Sequence, residues 1–149
     1  MVVDFEFRKS PSLRLATVSW KGTWNEKRIR SEFEGLEKWM NARKLRGGRW
    51  VFMEPGERRW KVGIELRGKG KGEGRVRIQT LPAGRVACVD FDPEKVSPRV
   101  VYHGLNDWLR WRKKDGDIHA VGNYREIYDG NPWKDARAWS HTCVQAAVR

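Results

Sequence analysis

A glutamate and a tyrosine two positions apart, Glu126 and Tyr128, stand in a segment with strand-like alternation. Side chains at positions i and i+2 of a β-strand lie on the same face, so we expect the two groups to act together. A carboxylate beside aromatic rings attracts a cation by charge and through the ring faces. The same carboxylate can transfer a proton, with the phenol donating to a developing oxyanion. A solvated strand face is the alternative interpretation of this pair.

Cysteine and histidine chemistry is not indicated. Cys88 and Cys143 are too far apart for a Cys-x-x-Cys motif and too few for a disulfide framework, which favours buried, reduced thiols. The histidines at 103, 119 and 141 show no i,i+4 pairing and no Cys or carboxylate neighbour at ligand spacing. We therefore expect no metal site and no cofactor.

The 149 residues include 31 Lys and Arg against 19 Asp and Glu, a formal net charge of +12. Such an excess raises nucleic acid as a partner, because cations that neutralise phosphates release counterions. The charge is spread over both halves, and the densest basic run, residues 67–75, alternates with glycine. It lacks the Gly-Lys-Ser/Thr ending of a Walker loop, and we interpret it as a flexible, solvated linker in preference to a phosphate-binding loop.

Apolar residues are frequent enough to close a core, at 39% of the chain. No apolar stretch approaches the roughly 20 residues that cross a bilayer, and no signal peptide pattern is visible, so we expect a cytoplasmic protein without a membrane partner. Nine tryptophans exceed what packing needs, since each buried indole N–H requires an acceptor. This surplus favours a ligand-lining role for some of them.

The chain repeats one pattern in its two halves. The segment 33–40 (FEGLEKWM) aligns without a gap with 102–109 (YHGLNDWL), and 11–18 aligns with 82–89. An internal duplication is the simplest explanation.

Periodicity predicts the same order of elements in each half. A possible capping box at Thr23 and Glu26 precedes a helix with the apolar stripe Ile29, Phe33, Leu36 and Met40, which we expect to end at Gly47–Gly48. The second helix has Ser97 as N-cap and Pro98 at the first position, and ends at Asp115–Gly116. Alternation predicts strands at 3–7, 13–20, 49–53, 61–66, 76–78, 85–91, 122–128 and 139–148. This pattern predicts an α+β fold with antiparallel sheet and two main helices.

Three segments together, in this order, resemble the GyrI-like small-molecule-binding domain of gyrase-inhibitory proteins and multidrug-sensing regulators. They are 81–87 (LPAGRVA), 105–108 (LNDW) and 125–132 (REIYDGNP). The resemblance covers nearly the whole chain. It implies one domain over 1–149, built of tandem strand-helix-strand-strand repeats at about 1–68 and 75–149. The basic loop 67–75 joins the repeats, which are related by a pseudo-twofold axis with a ligand groove between them.

By the same resemblance, Glu126 is the acidic residue of an aromatic pocket for planar, hydrophobic, often cationic small molecules. Trp39 and Trp108 fit a core position equally well. The expected ligand-binding residues are Glu126, Tyr128, Trp39, Trp108, Tyr102, Phe52 and Trp139.

Two alternatives stay open at this point. Some similar stand-alone proteins hydrolyse cyclopropane-bearing compounds, and in that case Glu126 and Tyr128 are catalytic. The other alternative is a protein that interacts with gyrase or with nucleic acid.

Overall fold

The computed structural model describes residues 3–149. Their contacts divide the chain into two units. The central unit is Ser12–Pro82, and the terminal unit combines the described residues up to Pro11 with Ala83–Arg149. Both units contain antiparallel strands and a 17-residue helix, which confirms the α+β fold class. In the described part of the chain, no helix has the length and apolar character needed to span a membrane.

Eight strands and three helices follow one another along the chain. In order they are β1 (Glu6–Ser10), β2 (Leu13–Lys21), α1 (Glu26–Ala42), β3 (Arg46–Gly56), β4 (Arg59–Arg67), β5 (Arg77–Leu81), β6 (Gly84–Phe91), α2 (Pro98–Lys114), β7 (Val121–Tyr128), α3 (Ala136–Ser140) and β8 (Thr142–Val148).

The two units have the same internal strand plan. The strand order is β3-β4-β2-β5 in the central unit and β7-β8-β6-β1 in the terminal unit. Strand β1 precedes β2 in the chain yet pairs with β6, and β5 precedes β6 yet pairs with β2. The unit boundaries therefore fall at 11–12 and 82–83, and the loop 67–75 lies inside the central unit. The assignment of the chain to one domain of two repeats stays a prediction.

Helix α1 buries the predicted stripe of Ile29, Phe33, Leu36 and Met40. Its ends differ from the prediction. The N-cap is Asn25, whose side chain accepts from the backbone N–H of Arg28, so the capping box at Thr23 and Glu26 was wrong. The helix stops at Ala42, because the backbone N–H of Leu45 turns back to the carbonyl of Met40 and the chain then enters β3. Gly47 and Gly48 lie in that strand.

Helix α2 follows the sequence prediction, with Pro98 at its start and Asp115 as C-cap. Val101, Leu105 and Leu109 bury one face against Val144 of β8 and the core residues of β6. Gly104 allows a close approach, since a Cβ there would lie 2.7 Å from Cζ of Phe5. The strand predicted at 3–7 begins only at Glu6, and Phe5 packs toward α2 instead.

The C-terminal prediction was wrong in one respect. A single strand was expected over 139–148, but residues 136–140 form the short helix α3 and the strand starts at Thr142. The Asp135 side chain accepts from the backbone N–H of Arg137 and caps this helix. Trp139 is consequently carried by a helix, not a strand.

Candidate functional site

Glu126, in β7 of the terminal unit, is a half-buried carboxylate held by two tyrosines. The hydroxyl of Tyr102 donates to Oε1 at 2.7 Å, and the hydroxyl of Tyr128 donates to Oε2 at 2.8 Å. Tyr102 lies on α2, whereas Tyr128 is two residues further along β7. Each carboxylate oxygen thus accepts one phenolic hydrogen bond, of the stronger kind that an ionised acceptor makes.

The alternation of β7 explains why this carboxylate faces the helix. Glu126 is opposite Val144 in the register with β8, and Val144 belongs to the core beneath α2. Arg125 is on the other face, where its Nε donates to Oε1 of Gln145 at 2.7 Å. Burial lowers the pKa of the Arg125 guanidinium. Among residues 3–149, no arginine, lysine or histidine forms an ion pair with Glu126.

Aromatic rings flank the carboxylate on two sides. Tyr128 and Trp139 are stacked, with centroids 6.5 Å apart and planes at 10°. Tyr102 and Tyr124 meet edge to face at 5.5 Å. Nε1 of Trp139 donates to Oε1 of Glu94 at 2.9 Å, which fixes the orientation of the indole. Burial raises the pKa of the Tyr124 phenol.

The surroundings of Glu126 are acidic although the chain is basic. Strands β6 and β7 both run antiparallel to β8, so their C-terminal ends lie at the same end of the terminal unit. Apart from Glu126 itself, the segments at those ends, 90–95 and 127–135, contain five Asp or Glu and two Lys, and Asp90 among them pairs with Arg8. The negative field of this cluster favours cations near Glu126.

The structure brings together four of the residues expected at the site: Glu126, Tyr102, Tyr128 and Trp139. Trp108 packs instead against Phe5 and Phe7, with ring centroids 6.1 and 4.7 Å away. No hydrogen bond or ring contact joins Trp108 to Glu126 in the described residues.

Trp39 and Phe52 lie in the central unit and have contacts of their own. The Arg43 guanidinium lies over Trp39, 4.3 Å from the ring centroid. Phe52 stacks on Trp60 at 6.1 Å and meets Trp24 edge to face at 5.8 Å.

Sequence reasoning missed Tyr124 and Glu94. Tyr124 had a signal, because it precedes Glu126 by two positions on the same strand face. Glu94 had none, since its partner Trp139 is 45 residues away.

The remaining nucleophiles are not arranged for chemistry. Cys88 and Cys143 are buried free thiols, as predicted. Burial raises the pKa of Cys88 to about 11 and that of Cys143 to about 12, which keeps both neutral at physiological pH. Over residues 3–149, no group of three or more His, Cys, Asp or Glu side chains is placed to hold a metal ion. A cleft of about 420 Å³ beside the paired strands β1 and β6 is lined by Phe7–Ser10 and Ala83–Arg85 and does not include Glu126.

Comparison with known proteins identifies the fold. No protein-family model matches the chain, and no curated protein matches it in sequence. The crystal structure of the EcmrR C-terminal domain matches with a TM-score of 0.77 at 18% identity, over 100% of this chain and 99% of that one. EcmrR in a cryo-EM complex with DNA matches with a TM-score of 0.74 at 18% identity, over 99% of this chain and 57% of the longer EcmrR chain.

Two further structures match almost end to end. A hydrolase from Listeria innocua has a TM-score of 0.60 at 11% identity, over 97% of this chain and 91% of the other. SAV2435 bound to tetraphenylphosphonium has a TM-score of 0.50 at 11% identity, over 98% of this chain and 94% of the other. At these identities the likeness shows the fold alone, which is the GyrI-like fold predicted from the sequence.

Proposed function

We propose that the protein binds planar, lipophilic organic cations at Glu126. The observation that carries this proposal is a half-buried carboxylate with two tyrosine donors and no cationic partner among residues 3–149. Tyrosine hydroxyls hold the carboxylate in position but leave its negative charge uncompensated. A bound cation supplies the missing charge, and its gain is larger in a half-buried site than in water.

The charge distribution supports a cationic ligand despite the net charge of +12. Screening limits the field of distant charges to about 8 Å at physiological salt, so the nearest groups dominate. The acidic segments 90–95 and 127–135 lie at the same end of the terminal unit as Glu126. A ligand cation that reaches this end of the terminal unit meets a locally negative surface.

The ring arrangement supports a flat and apolar ligand. Tyr128 and Trp139 offer a stacked pair with nearly parallel planes. A cation near the face of such a ring gains roughly 0.5–2 kcal/mol, and the rings add apolar contact area. Tetraphenylphosphonium, bound by SAV2435, which shares this fold, is tetrahedral at phosphorus but carries flat phenyl rings and a positive charge, so it is a suitable probe of cation and ring contacts.

The test is a calorimetric and tryptophan-fluorescence titration with tetraphenylphosphonium and, in parallel, with neutral triphenylphosphine oxide. Glu126→Gln removes the charge at the site, and Glu57→Gln removes one from an exposed turn of the central unit. We expect saturable binding of the cation that weakens at least about tenfold in Glu126→Gln and is unchanged in Glu57→Gln. Equal affinity of both glutamine variants, or a preference for the neutral probe, would contradict the proposal.

Hydrolysis of an electrophilic small molecule at the same carboxylate is a second proposal. It is supported by the half-buried carboxylate of Glu126, a group that can transfer a proton, with two phenols in hydrogen-bond contact with it. The test is incubation with a cyclopropane-bearing alkylating compound and detection of the ring-opened product by mass spectrometry. Turnover that Glu126→Gln abolishes and Glu57→Gln retains would support it, and binding without turnover would reject it.

A further inference from the structure

A second charged surface lies in the central unit. The segments 43–49 and 67–71 contain seven Arg or Lys and no Asp or Glu. They meet where β3 begins and β4 ends, since Arg46 is the register partner of Arg67. We call the surface formed by 43–49 and 67–71 the basic end.

The basic end keeps like charges side by side. Arg46 and Arg67 are both exposed and directly opposite each other, an arrangement that destabilises a sheet. Lys69 and Lys71 are exposed as well. Within residues 3–149, none of these four side chains takes part in an ion pair. Their charges are therefore available to an external polyanion.

The glycine-rich loop that carries the lysines is fastened to the central unit. Nη1 of Arg14 donates to the carbonyl of Gly68 at 2.7 Å, and Nη2 donates to the carbonyl of Gly70 at 3.1 Å. Glu73 pairs with Arg43 at 2.5 Å. The segment expected to be a flexible, solvated linker is thus fixed by two hydrogen bonds and one ion pair. The backbone positions of its lysines are therefore defined.

The glycines of this loop are needed for its packing. A Cβ on Gly70 would lie 2.8 Å from Cδ2 of Leu66, and one on Gly72 would lie 2.6 Å from the carbonyl oxygen of Val76. The alternation of glycine with lysine therefore lets the backbone pack closely while the charged side chains stay in solvent.

We propose that the basic end binds the phosphate backbone of nucleic acid. Unpaired arginines and lysines on two adjacent strands and a fastened loop are the groups that neutralise phosphates and release counterions. Contacts of this kind carry no base information, so binding is independent of sequence.

A nucleic acid fits this surface better than an anionic membrane does. Stable attachment to a bilayer requires buried apolar groups in addition to charge. The large exposed hydrophobic side chains of the described residues are Trp24, Val100, Trp111 and Val121, and none belongs to the basic end. Phosphate-backbone binding requires charge alone.

The test measures the fluorescence anisotropy of labelled DNA, as a duplex of about 20 base pairs and as a single strand of about 20 nucleotides, titrated with the full chain at several salt concentrations. The variant Lys69→Glu/Lys71→Glu alters the basic end. Its matched control, Arg99→Glu/Lys113→Glu, changes exposed residues of the terminal unit, and both variants lower the net charge from +12 to +8. We expect the loop variant to bind about tenfold or more weakly and to reduce the slope of log K against log salt by about 2, with little change in the control.

Equal weakening in both variants would overturn the proposal, because only overall charge would then matter. Binding to vesicles of phosphatidylglycerol and phosphatidylcholine without binding to DNA would overturn it in favour of a membrane surface. Should the loop variant lose its circular dichroism spectrum, Arg46→Gln replaces it with the same expected direction. Titration of each variant with tetraphenylphosphonium separates this proposal from the one at Glu126, since the basic-end variants retain that site.

Discussion

The hydroxyl of Tyr102 donates to Oε1 of Glu126 at 2.7 Å and so links α2 to β7. The two residues are 24 positions apart in the chain. Because helix and strand each fix one partner, the carboxylate is held in place before any ligand arrives. Such preorganisation lowers the cost of ordering a binding site.

Tyr102→Phe tests the structural part of this link. Removing the hydroxyl deletes one hydrogen bond to a half-buried carboxylate, and we expect a loss of about 1–2 kcal/mol in the free energy of unfolding. Affinity for tetraphenylphosphonium stays within a few-fold of wild type, since the charge of Glu126 remains. Urea denaturation and calorimetry measure the two quantities. An unchanged urea midpoint would show that the hydrogen bond does not stabilise the fold.

Two substitutions of Trp139 distinguish the contribution of ring stacking from that of hydrogen bonding at the site. Trp139→Phe keeps a ring against Tyr128 but loses the N–H donated to Glu94, whereas Trp139→Leu loses both. If the ring faces hold the ligand, we expect Trp139→Leu to weaken cation binding by about 3- to 30-fold and Trp139→Phe by less than about threefold. Calorimetric titration distinguishes the two, and similar losses in both would assign the effect to the hydrogen bond.

Arg46→Glu tests the like-charge pair of the basic end. A glutamate opposite Arg67 replaces repulsion with attraction, so we expect the free energy of unfolding to rise by about 0.5 kcal/mol. Arg46→Gln has a smaller effect in the same direction. DNA affinity falls in both variants if the proposal for this surface holds. Thermal and urea unfolding measure the gain, and a lower melting temperature in Arg46→Glu would contradict it.

The helix glycines Gly35 and Gly104 occupy equivalent positions of α1 and α2 and form a matched pair. A Cβ on Gly35 has no atom within 4 Å, so Gly35→Ala gains helix propensity, about 0.8–1 kcal/mol. Gly104→Ala has the same gain but must displace the Phe5 ring, 2.7 Å from the added Cβ. We expect Gly104→Ala to be less stable than Gly35→Ala by about 1 kcal/mol or more by urea unfolding. Equal stabilisation of both would show that Phe5 moves freely.

The buried thiols predict a loss of stability at alkaline pH. In the folded chain the pKa of Cys88 is about 11 and that of Cys143 about 12, both above the pKa of about 8.5 of an exposed thiol. Above about pH 8.5, the thiols of the unfolded chain release protons that the folded chain keeps. The stability that the neutral buried thiols contribute is fully present below about pH 8.5. Above that pH, each thiol lowers the free energy of unfolding by roughly 1.4 kcal/mol per pH unit.

Urea unfolding of wild type and Cys143→Ala at several pH values between about 8 and 10 measures this effect. The alanine variant lacks one of the two thiols, so its stability declines less steeply with pH. Parallel pH profiles for the two proteins would show that Cys143 ionises equally in the folded and unfolded states.

Several features of the protein follow from local sequence pattern alone. The stripe from Ile29 to Met40 has helical spacing, and Ser97–Pro98 marks the start of the second helix, because both depend on residues only a few positions apart. The shared face of Glu126 and Tyr128 follows in the same way from the two-residue period of a strand. The predictions of helix caps and element boundaries were less accurate. Asn25, not Thr23, caps the first helix, and a short helix capped by Asp135 forms where alternation predicted a strand.

The two main helices and the strand faces therefore follow from the sequence alone, because they depend on local residue spacing. The pairing of β1 with β6 and of β5 with β2, and the contacts of Tyr102 with Glu126 and of Arg46 with Arg67, are long-range and become evident only in the folded chain. The two units have similar strand patterns, so period-two alternation fits either partner equally well. The choice between partners depends on the packing of the complete core, such as Phe5 against Gly104, which joins residues far apart in the chain.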